Sequence, residues 1–126
     1  MAIDALESAE DYLERILMLQ EQGMKEIHAV DLASSFGYSK ASISIALHKL
    51  EEKGYVALGL KSQLYLTPAG YDIAKKVYER HQVISDWLTS IGVSKENALK
   101  DACRMEHFIS DESFQAIKTL GSKKEN

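Results

Sequence analysis

The segment DACRMEHFIS, residues 101–110, places a cysteine, a glutamate and a histidine within five consecutive positions. In a helix of about 3.6 residues per turn, residues three or four positions apart share one face, so Cys103, Glu106 and His107 can converge on one point. Thiolate, carboxylate and imidazole are all metal ligands, and together they suit a borderline transition metal better than calcium or magnesium. Three ligands do not complete a coordination shell, so other segments must supply further donors.

Candidates for these further donors come from two other segments. Asp11 and Glu14 are three residues apart on a predicted first helix, and His81 lies on the apolar stripe of a predicted fourth helix. Each type of residue has a simpler explanation. An Asp-x-x-Glu pair is usually solvated, a histidine on a buried stripe is usually a hydrogen-bonded core residue, and a lone cysteine is often a core filler. The hypothesis of a metal site depends on their joint presence.

Composition limits the class of protein that could carry such a site. A chain of 126 residues with 45% hydrophobic residues has room for one or two small domains. It has neither a run of about 18 uncharged apolar residues nor a signal sequence at its start, so a cytoplasmic location without membrane attachment is expected. Cys103 is the only cysteine and cannot close an intramolecular disulfide. It is a buried filler, a reactive thiol or a metal ligand.

Apolar periodicity and glycine positions predict six helices and one hairpin. The helices are expected at about residues 6–22, 29–36, 40–53, 68–91, 95–108 and 111–120, and the hairpin at 55–60 and 63–68. Ser39, Ser94 and Ser110 are placed to cap helices. The segment Asp4-Ala5-Leu6-Glu7 is expected to form a capping box at the start of the first helix. Residues 121–126 are expected to form a frayed tail.

Residues 27–67 follow the order helix, glycine-containing turn, helix and hairpin, which is typical of a winged helix-turn-helix that binds DNA. The formal net charge of -4 disfavours nucleic acid, but residues 38–62 carry four lysines against two glutamates. The predicted DNA contacts are short or basic residues of the second helix and the wing, namely Ser39, Lys40, Ser42, Ser44, Lys49 and Lys61. The alternatives are a solvated helical surface and a winged helix that binds protein.

Four segments together resemble the iron- and manganese-responsive repressors, the family of the diphtheria toxin repressor and the manganese transport regulator. They are SAEDYLERILML, VDLASSFGYSKASISIALHKLEEKGYV, LTPAGYDIAKKVYERH and DACRMEHFISDE. The resemblance extends over residues 6–120 and implies a mainly α protein. A winged helix-turn-helix DNA-binding domain with a short β-hairpin wing is expected at residues 1–70. A helical metal-binding and dimerisation domain is expected at residues 71–126, without the SH3-like C-terminal domain of longer members.

The resemblance also implies a metal site formed by Asp11, Glu14, His81, Cys103, Glu106 and His107. Iron-type members generally carry Met at the first of these positions and Cys at the fourth, whereas manganese-type members carry Asp and Glu. This chain therefore mixes the two patterns, and one or two metals per subunit are both compatible with it. The ancillary site of the iron type is expected to be absent, because Ser85 and Leu99 replace its acid and its histidine.

The function implied is repression of transcription by a homodimer that binds a palindromic operator when loaded with divalent metal, in the service of metal-ion homeostasis. Thiolate and carboxylate donors together favour Fe(II), with Mn(II) as the alternative. A metal-independent winged-helix regulator is the other alternative. An enzyme is not expected, because no nucleophile or glycine-rich loop accompanies the ligands. The predicted dimer-interface residues are Leu99, Phe108, Phe114 and Ile117.

Overall fold

The computed structural model describes the backbone of residues 5–125 and the side chains of residues 9–120. Within this range the elements are α1 (Ala5–Glu21), α2 (Ala29–Phe36), α3 (Lys40–Glu52), β1 (Val56–Leu58), β2 (Leu64–Leu66), α4 (Pro68–Ser90), α5 (Lys95–Met105) and α6 (Asp111–Glu125). The mainly α fold with a hairpin after the helix-turn-helix is confirmed. The predicted capping box at Asp4 lies outside the described residues.

The chain divides into two compact units, the first ending at Lys75 and the second beginning at Lys76. A domain boundary at residue 70 stays a prediction. The one sheet among residues 5–125 is the two-stranded hairpin, so these residues contain no SH3-like barrel. None of the described helices is long and apolar enough to cross a bilayer.

The helix-turn-helix is held by a shared core and by capping at its turn. Leu13 of α1, Leu32 of α2 and Ile43 of α3 are fully buried in the first unit. Gly37 ends α2 in the left-handed region with φ +75, which glycine adopts without a steric penalty. The Ser39 hydroxyl then accepts the Ser42 N–H at 3.2 Å, as predicted, and starts α3. Local chemistry therefore sets the turn between α2 and α3.

The wing is a short hairpin anchored on one side. Its register pairs Val56 with Leu66 and Leu58 with Leu64. Val56 and Leu64 are both 2% exposed, and the Leu64 N–H donates to the Ile27 carbonyl at 2.7 Å. Leu60–Ser62 form a 3-10 turn at the tip, where Lys61 adopts a left-handed conformation with φ +56. The wing base is therefore fixed to the unit, while Lys61 is exposed at the tip.

The junction between the wing and α4 requires glycine at position 70. The Thr67 hydroxyl accepts the Gly70 N–H at 3.1 Å and donates to the Gly54 carbonyl at 2.5 Å. A Cβ at residue 70 would lie 1.9 Å from the backbone oxygen of Tyr55. The start of α4 therefore packs directly against the backbone that precedes β1.

We expect Gly70→Ala to lower the free energy of unfolding by about 3 kcal/mol, at the upper end of overpacking costs, because the clash is with backbone. Urea denaturation followed by circular dichroism measures this loss. Ala69→Ser, at the neighbouring exposed position, is the control and should have little effect. An unchanged midpoint in Gly70→Ala would show that the Tyr55 backbone moves aside at little cost.

The second unit has its own small core. Ile84 of α4, Ala102 of α5 and Phe114 of α6 are buried together. Phe114 is only 4% exposed, so its prediction as an interface residue was wrong: its ring packs within its own unit. Leu99 and Phe108, by contrast, are 41% and 69% exposed. Helix α6 continues to Glu125, beyond its predicted end at Leu120.

Candidate metal centre and DNA-binding surface

A buried carboxylate lies between two imidazoles in the second unit. Glu106 Oε2 is 3.0 Å from His81 Nδ1, and Glu106 Oε1 is 3.4 Å from His107 Nε2. The side chain of Glu106 is 0% exposed, that of His107 2% and that of His81 17%. Burying a carboxylate is costly unless hydrogen bonds or positive charge compensate for its lost hydration, and His81 Nδ1 lies within hydrogen-bond distance of Glu106. The structure thus brings together three of the predicted metal ligands.

Cys103 lies in the last turn of α5, three residues before Glu106. Its side chain is exposed, which excludes the core-filler interpretation. Glu106 is the C-cap of α5 and keeps right-handed helical backbone angles, φ -60 and ψ -26. The three-residue spacing that predicted a shared face is therefore retained, although Glu106 and His107 lie just beyond the helix rather than within it.

Helix α5 ends at Met105, three residues before the predicted end, because a side chain binds the carbonyls that follow. Arg80 Nη1 donates to the Glu106 carbonyl at 3.2 Å and to the Ile109 carbonyl at 2.9 Å. Arg80 Nη2 contacts the Asp111 carboxylate. Arg80 itself is 8% exposed. One guanidinium therefore holds the segment that carries Glu106 and His107.

Sequence reasoning missed this function of Arg80. Arg80 lies in the segment LTPAGYDIAKKVYERH, in which only its neighbour His81 was assigned a role. A usable signal was present, because Arg80 lies three residues after Val77 and four before Ile84, on the same helical face as these apolar residues. Arginine is seldom fully buried without a partner. A buried arginine beside a candidate ligand indicates that it binds and positions a neighbouring segment.

The other two predicted ligands belong to α1 in the first unit. Glu14 is 6% exposed, and Asp11 is partly buried. A buried glutamate is not the solvated surface acid that an Asp-x-x-Glu pair usually indicates. Glu14 therefore fits the description of a ligand better than that of a surface residue.

The donors of the second unit fit a divalent transition metal. His81 Nδ1 and Glu106 Oε2 lie 3.0 Å apart, so a nitrogen donor and an oxygen donor are available at one point. A divalent transition metal accepts both an imidazole nitrogen and a carboxylate oxygen as ligands. His107 and Cys103 add a nitrogen and a sulfur, a combination that Fe(II), Co(II) or Zn(II) accept more readily than Mg(II).

The outer face of α3 presents the residues predicted to contact DNA. Its inner face is formed by Ile43, Leu47 and Leu50, which are at most 6% exposed. The predicted contact residues on α3, its N-cap and the wing, all exposed, are Ser39, Lys40, Ser42, Ser44, Lys49 and Lys61. The Ser39 hydroxyl is already engaged with Ser42 as a helix cap, so the lysines and Ser44 have the more available polar groups.

A groove of about 260 Å³ runs between α1 and α3. Its lining includes Tyr12 from α1, Ser42, Ile45 and Lys49 from α3, and Lys53, which caps the end of α3. Two lysines at one groove can bind phosphate oxygens of DNA. Such phosphate contacts position a helix on DNA but do not depend on the base sequence. Lys53 and Ile45 were not among the residues predicted from sequence.

An aromatic cluster connects α1 to the helix-turn-helix. The rings of Phe36 and Tyr38 are stacked with centroids 5.2 Å apart, and Tyr12 meets Phe36 edge-on at 5.2 Å. The Arg15 guanidinium lies 4.3 Å from the centre of the Phe36 ring. Burial raises the pKa of Tyr12, and the neighbouring Tyr38 and Asp11 raise it further, so Tyr12 stays neutral at physiological pH. This cluster positions the exposed Tyr38 in the turn before α3.

Comparison with known proteins assigns each part of the chain to a domain. Residues 4–62 match the family described as iron dependent repressor, N-terminal DNA binding domain. Residues 67–125 match iron dependent repressor, metal binding and dimerisation domain. The HTH-type transcriptional regulator MJ0568 of Methanocaldococcus jannaschii is 30% identical over 93% of this chain and 94% of its own. The transcriptional regulator MntR of Salmonella typhimurium is 35% identical over 88% of this chain and 70% of its own.

Solved structures agree with these matches. A manganese-dependent transcriptional repressor in complex with manganese superimposes with a TM-score of 0.81 at 27% identity, over 89% of this chain and 51% of that one. The regulator MtsR gives a TM-score of 0.82 at 23% identity, which is evidence for the fold alone. This chain spans about half the length of both structures. The chain belongs to the family of metal-dependent transcriptional repressors that includes the iron-dependent repressors and MntR.

Proposed function

We propose that this chain is a homodimeric repressor that binds a palindromic operator when divalent metal, Fe(II) in preference, is bound by Asp11, Glu14, His81, Cys103, Glu106 and His107. The regulated genes would serve metal-ion homeostasis. The observation that carries the proposal is the buried Glu106 between His81 and His107, in the unit matched by a metal-binding domain. The exposed, basic outer face of α3 in the DNA-binding unit supports the second half of the proposal.

Because the proposed metal ligands lie on separate helices, metal binding can affect DNA binding. A bound divalent cation supplies positive charge that offsets the carboxylates and joins donors from separate helices. Asp11 and Glu14 are on α1, which shares its core with α2 and α3. Metal ligation by these two residues would therefore affect α3, which acts as the DNA recognition helix in this proposal. Shifting the equilibrium between a form that does not bind DNA and a form that does from about 1:99 to 99:1 requires the metal to bind the second form more tightly by roughly 5.5 kcal/mol. Several protein ligands to one divalent metal can supply that amount.

Dimerisation would use the second unit. Leu99 is 41% and Phe108 69% exposed there, and the matched domain model is described as a dimerisation domain. In a homodimer built on this unit, a second copy of the chain would cover these two apolar side chains. Two copies related by a twofold axis would present two recognition helices to the two halves of a palindrome.

Mn(II) is the second candidate, and two observations favour it. Relatives of the chain carry the name MntR, and a solved relative is described as a complex with manganese. Asp11, Glu14 and Glu106 also offer the oxygen donors that Mn(II) prefers. The thiolate of Cys103 is the argument for Fe(II), because soft sulfur ligands select against Mn(II). The choice between the two metals therefore depends on Cys103.

We expect Cys103→Glu to change the ratio of the Mn(II) and Fe(II) concentrations needed for DNA binding by about tenfold in favour of Mn(II), or about 1.4 kcal/mol. The physical reason is that a carboxylate replaces the sulfur ligand. Anaerobic anisotropy titrations with each metal measure this ratio. Cys103→Ser, which removes the thiolate without adding a carboxylate, is the matched control. An unaltered ratio in Cys103→Glu would show that Cys103 does not discriminate between the metals.

The proposed function is tested by anisotropy of a labelled DNA fragment from upstream of the chain's own coding region. Reduced, metal-free protein is titrated first, and the titration is repeated anaerobically with Fe(II) and with Mn(II). Tight binding only with metal is expected. Equal binding in all three titrations would instead identify a metal-independent winged-helix regulator.

A further inference from the structure

Ile45 is a large apolar side chain on the outer face of α3. It is 60% exposed, whereas Ile43 and Leu47, two positions away on either side, are 0% and 6% exposed. Successive helical residues are rotated by about 100°, so Ile45 lies on the opposite side of the helix from this buried pair. Ile45 is therefore directed away from the core of its own unit.

The surroundings of Ile45 are those of a DNA-contacting surface. Ser42 and Lys49, three residues before it and four after it, share the groove with Ile45. Ser44 is exposed beside it, and the segment from Ser39 to Leu50 contains no acidic residue. Basic and hydroxyl groups around an apolar side chain are complementary to a polyanion that carries an apolar group. They are less suited to an apolar protein partner.

We infer that Ile45 is a specificity-determining residue that contacts the C5 methyl group of thymine in the major groove. This inference rests on the proposed function. Thymine is the one base that presents an apolar group in this groove, since the remaining base edges present hydrogen-bond donors and acceptors. An isoleucine against those edges would desolvate them without providing a hydrogen bond. The operator should therefore contain thymine at one position in each half-site.

Deoxyuridine isolates this contact, because it differs from thymidine only by the missing methyl group. Duplexes are first selected from a random-sequence library with full-length protein loaded with Fe(II) or Mn(II). Each thymidine of the selected sequence is then replaced singly by deoxyuridine. At one position per half-site, we expect the replacement to weaken binding about fourfold, as for the loss of one buried apolar carbon.

Variants of Ile45 identify the side chain that makes the contact. Ile45→Ala should bind thymidine and deoxyuridine equally at that position, and Ile45→Val should keep most of the preference. Val30→Ala is the matched control, because Val30 is 50% exposed on α2 and should leave the preference unchanged. Truncating a side chain that is 60% exposed opens no core cavity, so the variants should fold normally.

The outcomes separate this inference from the proposed function. If metal-loaded protein enriches no sequence, the proposed function fails and the inference fails with it. If a sequence is enriched but no deoxyuridine replacement weakens binding, only the inference is overturned. A thymidine preference that persists unchanged in Ile45→Ala would also overturn the inference alone.

Discussion

Replacing Glu106 by glutamine is expected to abolish the increase in DNA affinity that metal produces. The Glu106 carboxylate lies between the imidazoles of His81 and His107, and glutamine keeps its size while removing its charge. A neutral amide is a much weaker ligand than a carboxylate for a divalent cation, so metal affinity should fall by about 100-fold or more. Calorimetric titration with Mn(II), and DNA anisotropy with and without metal, measure the two effects.

The stability of the metal-free variant separates loss of a ligand from loss of the fold. A buried neutral amide costs less desolvation than a buried carboxylate, so Glu106→Gln should be at least as stable as the parent without metal. Glu112→Gln changes an exposed acid of the same unit and should retain the full metal response. A normal metal response in Glu106→Gln would remove Glu106 from the metal site.

Arg80→Met is expected to destabilise the second unit by about 3 kcal/mol. Arg80 donates to the carbonyls of Glu106 and Ile109 and contacts the Asp111 carboxylate. Methionine fills a similar length of apolar space but donates no hydrogen bond, and each buried polar group that loses its partner costs about 1–3 kcal/mol. Urea denaturation measures the loss. Metal affinity should also fall, by about tenfold, because Glu106 is less firmly positioned.

Lys76→Met provides the matched control for this variant. Lys76 also pairs with Asp111, at 3.7 Å, but both side chains are exposed. Exposed pairs contribute about 0.2–1 kcal/mol, so this variant should change stability little. Metal affinity is compared at a temperature where both variants are fully folded. Equal stability of the two variants would show that the carbonyls of Glu106 and Ile109 do not depend on Arg80.

Much of the fold was predictable because its signals are local. The hydroxyls of Ser39, Ser94 and Ser110 accept backbone N–H groups three residues ahead, as their positions before apolar runs predicted. The family resemblance, and with it the expectation of a repressor rather than an enzyme, is confirmed by the comparisons. The individual metal ligands and DNA contacts stay predictions.

The features that sequence reasoning missed depend on contacts between distant residues. Arg80 reaches carbonyls 26 and 29 positions away, and such a contact leaves no periodic signal in either segment. The end of α5 was misplaced for the same reason. Ile45 was not predicted as a DNA contact, because only short polar or basic residues were selected on the outer face of α3.

The exposure of Cys103 has a consequence for how metal preference changes during evolution. Substitutions at exposed positions usually alter stability by less than about 0.5 kcal/mol, so a substitution of Cys103 should leave the fold intact. The turn that carries Glu106 is held separately by Arg80, which needs no metal for its hydrogen bonds. In the proposed site, ligand identity and site architecture would thus be encoded by different residues, and a lineage could adapt to a new metal supply by a change at position 103.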